Sequence, residues 1–177
     1  DPYGLTFRLT ATDEDGRETQ ARRHIYIRGD PRLLPGFPYD VGSSWEASPA
    51  LVDMNGDGIW EIVAAASDGS VHVLDGTAMN LPGWPKSTNR VAVEAGSVDP
   101  PTEGVIASPA VGDLDADGIQ DVVVAGLAGN LYAWTASGTM RPGFPVGIDL
   151  SLCNPEDRHD QHRTDCGFFG SPTLVDL

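Results

Sequence analysis

Two short stretches carry most of the chemistry this chain can offer. Asp113-Leu114-Asp115-Ala116-Asp117-Gly118-Ile119-Gln120-Asp121 is echoed by Asp53-Met54-Asn55-Gly56-Asp57-Gly58-Ile59-Trp60-Glu61. Acids or an amide at the first, third and fifth positions, with an acid at the ninth, are a ligand set for a hard divalent cation. Such an ion takes roughly six to eight oxygens at about 2.3 to 2.6 Å. In the second stretch Asp113, Asp115 and Asp117 would supply side-chain oxygens, Ile119 a main-chain carbonyl and Asp121 a closing carboxylate. In the first, Asp53, Asn55, Asp57, Ile59 and Glu61 take the same places. Calcium is the expected ion. An acidic surface turn is the bland alternative, since Asp-Gly pairs form turns without any metal. Turn chemistry does not require acids at all these positions together, twice. Clustered like charges also repel by about 1 kcal/mol per pair even in water. The second loop carries four carboxylates against three, which by charge count would make it the tighter site.

The elements around these loops must be strands. Ile62-Val63-Ala64-Ala65-Ala66 and Val122-Val123-Val124-Ala125-Gly126 follow the ninth-position acids directly, and short apolar runs bounded by glycine turns suit buried strands. An EF-hand would instead have a twelve-residue loop between helices. Strands are expected near 49–53, 60–67 and 70–75, with a turn at Asp68-Gly69 and a proline-bearing outer edge after it.

These elements recur. Ser48-Pro49-Ala50 returns as Ser108-Pro109-Ala110 and, varied, as Ser171-Pro172-Thr173. Pro35-Gly36-Phe37-Pro38 returns as Pro82-Gly83-Trp84-Pro85 and Pro142-Gly143-Phe144-Pro145. Landmarks between Ser48 and Pro85 keep a constant offset of 60 from partners between Ser108 and Pro145. Fixed blocks with variable connections are the mark of a repeat architecture. Four short strands per block make a propeller blade. The expected fold is therefore all-β, a partial β-propeller with two complete four-stranded blades, blocks 48–85 and 108–145, and parts of two others. The third copy begins at residue 171 and offers the first ligand of another calcium loop, Asp176. The rings of Phe37, Trp84 and Phe144 are expected to pack blade on blade, because their proline frame repeats with the fold.

Residues 1–29 are different. Tyr3, Leu5, Phe7, Leu9 and Ala11 alternate with polar residues, Asp13-Glu14-Asp15-Gly16 turns the chain, and Ala21 to Arg28 returns. That is a β-hairpin by period. Its Asp13, Asp15 and Glu18 have the wrong spacing for a metal loop and Arg17 among them. Gly29-Asp30-Pro31 is the expected boundary, with residues 30–177 as the repeat domain.

Two resemblances follow from these residues. The hairpin resembles the last two strands of a PKD or cadherin-like immunoglobulin-type domain. The block Ser-Pro-Ala-Leu-Val-Asp-Met-Asn-Gly-Asp-Gly-Ile-Trp-Glu-Ile-Val resembles the FG-GAP and VCBS-like repeats of integrin-type calcium-binding β-propellers, above all secreted bacterial ones. This second resemblance implies calcium held in the blade loops at the residues named above, two complete sites and a third cut at Asp176. The chain departs from it in lacking Gly-Ala-Pro after the second strand, where Ala66-Ser67 and Gly126-Leu127 stand. The resemblance thus implies the scaffold rather than integrin-like ligand binding.

Cys153 and Cys166 flank a polar connection that also holds His159 and His162. A disulfide is the expected state and suits an oxidising compartment. A zinc site of these four residues and free thiols are the alternatives, the paired Cys-x-x-Cys spacing of zinc modules being absent. His24 and His72 fall on strands as ordinary surface or packed residues. No nucleophile elbow, phosphate loop or paired-acid site presents itself.

The 177 residues carry a net charge of −15, which opposes nucleic acid and anionic membrane as partners. No apolar run is long enough for a membrane-spanning helix. With 21 glycines and 14 prolines, turns dominate. The expectation is a non-enzymatic, calcium-stabilised structural or binding segment of a large secreted or cell-surface bacterial protein. It would be extracellular or periplasmic, would pack on the remaining blades of its parent, and would engage a protein or glycan for adhesion or assembly. The alternatives are an accessory region of a secreted protease or glycoside hydrolase whose catalytic domain lies elsewhere, and a carbohydrate-binding propeller.

Overall fold

The computed structural model describes residues 4–26, 32–89, 102–149 and 167–175. Two compact units divide the chain, Asp1–Leu34 and Pro35–Leu177. Every described element is a strand, and every pairing is antiparallel.

In the first unit β1 (Gly4–Thr12) pairs with β2 (Glu18–Tyr26) in the register Leu5↔Ile25, Phe7↔Arg23, Leu9↔Ala21. The turn is held by its own charges. Asp13 Oδ1 accepts the amides of Asp15 and Arg17 at 3.0 and 2.9 Å. Arg17 binds Asp13 through Nε at 2.7 Å and Asp15 through Nη2 at 2.6 Å. The alternation expected of a half-buried strand is present, but Leu5, Phe7, Leu9 and Ile25 are all exposed. Two strands alone have no second layer against which to bury a face.

The second unit contains two four-stranded sheets of identical plan. One runs β3 (Ala50–Val52), β4 (Glu61–Ala65), β5 (Ser70–Leu74), β6 (Lys86–Ser87). The other runs β7 (Ala110–Gly112), β8 (Asp121–Ala125), β9 (Asn130–Trp134), β10 (Val146–Gly147). Strands neighbour in sequence order, and each strand of the second sheet begins 60 residues after its partner in the first. The expected strands near 49–53, 60–67 and 70–75 are therefore present, the first two trimmed at both ends and the third at its last residue. The proline element does not itself pair. Pro82-Gly83 turns, and the edge strand β6 follows Pro85, where a missing N–H breaks no ladder bond.

The middle strands are buried on both faces, which is why β4 and β8 read as continuous apolar runs rather than alternating ones. Val63, Val71, Val73, Val122, Val124, Tyr132 and Trp134 form one core shared by the two sheets. Each such side chain, fully buried, contributes about 1.5 to 3 kcal/mol. Trp84 of the first repeat meets Trp134 of the second edge-on at 6.2 Å and donates Nε1–H to the Ala136 carbonyl at 2.8 Å. For this ring the expected packing of repeat on repeat is what the fold contains. Gly83, at φ +91°, lies so close to the second repeat that a Cβ there would fall 2.0 Å from the Ser137 oxygen.

The Ser-Pro motif acquires a purpose from this stacking. The Ser48 amide donates to Ser108 Oγ at 3.0 Å, and the Ser108 amide donates to Ser171 Oγ at 3.0 Å. Each serine thus ties the start of one repeat to the start of the next. Leu174 packs over Gly112, continuing the contact into the third copy.

Candidate metal centre

Each acidic loop joins the first strand of a sheet to the second. In the second repeat the Asp113 carboxylate folds the loop around itself, Oδ1 accepting the Asp117 amide at 3.1 Å and Oδ2 the Gly118 amide at 2.7 Å. Asp117 Oδ1 takes the Ile119 amide at 2.8 Å, and Asp121 Oδ2 takes that of Leu114 at 3.0 Å. The bond from Gly118, with others from the loop backbone, holds the Asp113 carboxyl below the usual carboxylate range and so ionised. Gly118, at φ +85°, makes the reversal that presents these amides.

The first repeat repeats the scheme. Asp53 accepts Asp57 N at 3.1 Å and Gly58 N at 2.9 Å, Asp57 accepts Ile59 N at 2.7 Å, and Glu61 Oε2 accepts Met54 N at 2.8 Å. Asn55 Oδ1 adds a bond from Asp57 N at 2.9 Å. Glu61 and Asp121 are both buried at the mouths of their strands.

The donor set fits a hard cation. One oxygen each from Asp113, Asp115 and Asp117 lies within 4.8 Å of the others, about the widest span open to oxygens sharing an ion at roughly 2.4 Å. A carboxylate oxygen that accepts one amide keeps a lone pair for a metal. This trio could hold a metal ion. Of the other expected ligands, Asp53, Asn55, Asp57, Ile59 and Glu61 share one loop of matching fold. Ile119 and Asp121 close the second loop. Asp176, and the cysteines and histidines at 153, 159, 162 and 166, lie outside the described residues.

Three functional-looking residues escaped the sequence reading. Arg141 reaches the second loop, its Nη1 2.7 and 2.8 Å from the two oxygens of Asp121 and its Nη2 paired with Asp115. Those carboxylates raise its pKa further, Asp115 first. The signal available was a break in the repeat, arginine standing where the first copy has Leu81. Glu103, buried in the connection between sheets, accepts bonds from Ala128 N, Asn130 N, Asn130 Nδ2 and Tyr132 Oη at 2.8, 3.1, 2.8 and 2.5 Å. Burial and that bond push the Tyr132 phenol up from its ordinary value. Tyr39 is the third. It bonds His72 Nδ1 at 3.2 Å and receives Asn80 Nδ2 at 3.0 Å. His72 is packed, and burial lowers its pKa against opposing contributions from Asn80 and Asp68.

Fold and site together define a class: an all-β repeat protein whose copies each close their first strand pair with a carboxylate loop. In agreement, residues 53–124, from the first loop to the strand after the second, match the family model described as FG-GAP-like repeat. Comparison with curated proteins returned no match.

Proposed function

We propose that residues 35–175 are two blades and the start of a third in a calcium-stabilised β-propeller, a structural and binding segment of a secreted or cell-surface protein and not an enzyme. The observation that carries this reading is the coincidence of two periodicities. The four-strand plan and the carboxylate loop recur with the same 60-residue offset. A bound cation would relieve the repulsion among the loop carboxylates and pin the first strand of each blade to the second, where Glu61 or Asp121 enters the core. The variable connections between blades, residues 86–107 and 146–170, would carry partner binding, as an adhesion or assembly surface.

A melting experiment on the whole chain tests the metal. Calcium at about one hundred times its dissociation constant should stabilise the fold by about 2.7 kcal/mol per site, raising Tm by several degrees. Chelator should reverse the shift, and magnesium at equal concentration should reproduce little of it. Melting curves that coincide with and without calcium would sink the assignment.

A further inference from the structure

Leu81 and Arg141 occupy the same station in the two repeats, for the Leu81 amide donates to Val73 O at 2.8 Å and the Arg141 amide to Ala133 O at 2.9 Å. Their side chains therefore leave the backbone toward corresponding places. In the first repeat the buried carboxylate at the ninth loop position, Glu61, has no ion pair among the described residues. In the second, Nη1 of Arg141 bonds both oxygens of Asp121 while Nη2 pairs with Asp115.

We propose that Arg141 is a tethered counter-ion that competes with divalent metal for the second loop, leaving the Asp53–Glu61 loop as the tighter site. The proposal rests on the metal reading above and reverses the order expected from carboxylate number. Four carboxylates less one guanidinium leave a formal charge of −3 in the second loop, and three carboxylates leave −3 in the first. Charge no longer favours the second loop, and although its Asp113, Asp115 and Asp117 oxygens gather within 4.8 Å, a guanidinium already engages two of its expected ligands. Asp115 and Asp121 are the expected third- and ninth-position ligands, and charge-assisted bonds from a guanidinium that bridges two carboxylates are stronger than neutral ones. The side chains of Arg141 and Asp121 are only 13% and 2% exposed, so water does little to weaken the pair. Because arginine stays protonated, raising the pH does not release it. The metal must displace the guanidinium itself.

Calcium titrations of the full chain by calorimetry test this. Asp53→Asn with Asp57→Asn silences the first loop and isolates the second. In that background Arg141→Leu, the residue of the first repeat, should tighten calcium binding about tenfold, with Arg141→Gln close behind as the better-tolerated polar substitute. Conversely, Leu81→Arg in a chain silenced by Asp113→Asn and Asp117→Asn should weaken the first loop. Circular dichroism establishes that each variant is folded. Affinity unchanged or lowered on removing Arg141 overturns the proposal while leaving the metal reading intact. If no folded variant binds calcium, Arg141→Leu included, the metal reading falls and the proposal with it.

Discussion

The two repeats are built to one plan yet differ at positions that depend on one another. In the second, the connection places Glu103 under the turn between β8 and β9, and Gly126 stands beside it with no side chain. A Cβ there would lie 2.2 Å from Glu103 Oε1. In the first repeat the corresponding residues are Ser43 and Ala66, with Ser43 Oγ 2.8 Å from Ser67 Oγ and the Ser67 amide donating to Ser44 O at 3.0 Å. The backbone joint is conserved, since the Leu127 amide donates to Gly104 O at 2.9 Å in the same way. One repeat seals it with a large carboxylate over a glycine, the other with a small hydroxyl over an alanine. The lesson is that a repeat tolerates different local chemistry provided volume and hydrogen bonding change together.

Breaking that compensation gives the largest expected effect. Glu103→Ala strands four donors and should cost about 3 kcal/mol, read as a shift in the urea midpoint. Gly126→Ala should cost about 1 to 3 kcal/mol by overpacking. The double change Glu103→Ser, Gly126→Ala imports the first repeat's solution and should cost less than Glu103→Ser and Gly126→Ala measured singly and summed. An additive cycle would show that the pair is not coupled.

A second contrast lies in the metal loops. Gly56 at φ +78° corresponds to Ala116 at φ +59°, so the second loop holds an alanine where left-handed backbone disfavours a Cβ. Ala116→Gly should stabilise by about 0.5 to 1 kcal/mol and Gly56→Ala should destabilise by a similar amount. Chemical denaturation of both, with chelator present, checks the sign. Agreement would mean that the strain belongs to the loop and not to the ion.

The smallest expected effect distinguishes the repeats by pH. His72 of the first corresponds to Tyr132 of the second, and both are buried in their third strands. The folded-state pKa of His72 lies below the unfolded value of about 6.5, so the unfolded chain binds the proton more readily. Its contribution is present in full above the unfolded pKa and is lost as pH falls through the folded one. Acidification from pH 7.5 to 5.5 should lower Tm in the native chain more than in His72→Gln. Equal slopes would remove His72 as the cause.

Much of this was legible in the residues because it is local. The strands follow from apolar runs between Asp-Gly or Ala-Gly turns, and the loops close on themselves within five residues, as Asp113 does on Asp117 and Gly118. Such bonds depend on spacing alone. The repeat offset then aligned the two sheets strand for strand. The sequence also suggested a half-buried hairpin at the start, where the alternation is real but the face is exposed, since period reports which residues share a face and not what covers it.

What the sequence by itself determined is the unit: strand, carboxylate loop, strand, turn, strand, proline edge, written twice in the same register. What only the tertiary structure decided is how units meet and what reaches into the loops. Glu103 finds Tyr132, Tyr39 finds His72, Ser48 finds Ser108 and Arg141 finds Asp121, partners 20 to 60 residues apart. Those meetings are set by stacking of sheets and by side-chain length, neither of which leaves a periodic trace. An arginine just before a proline motif looks like surface charge until the fold delivers it to a buried aspartate.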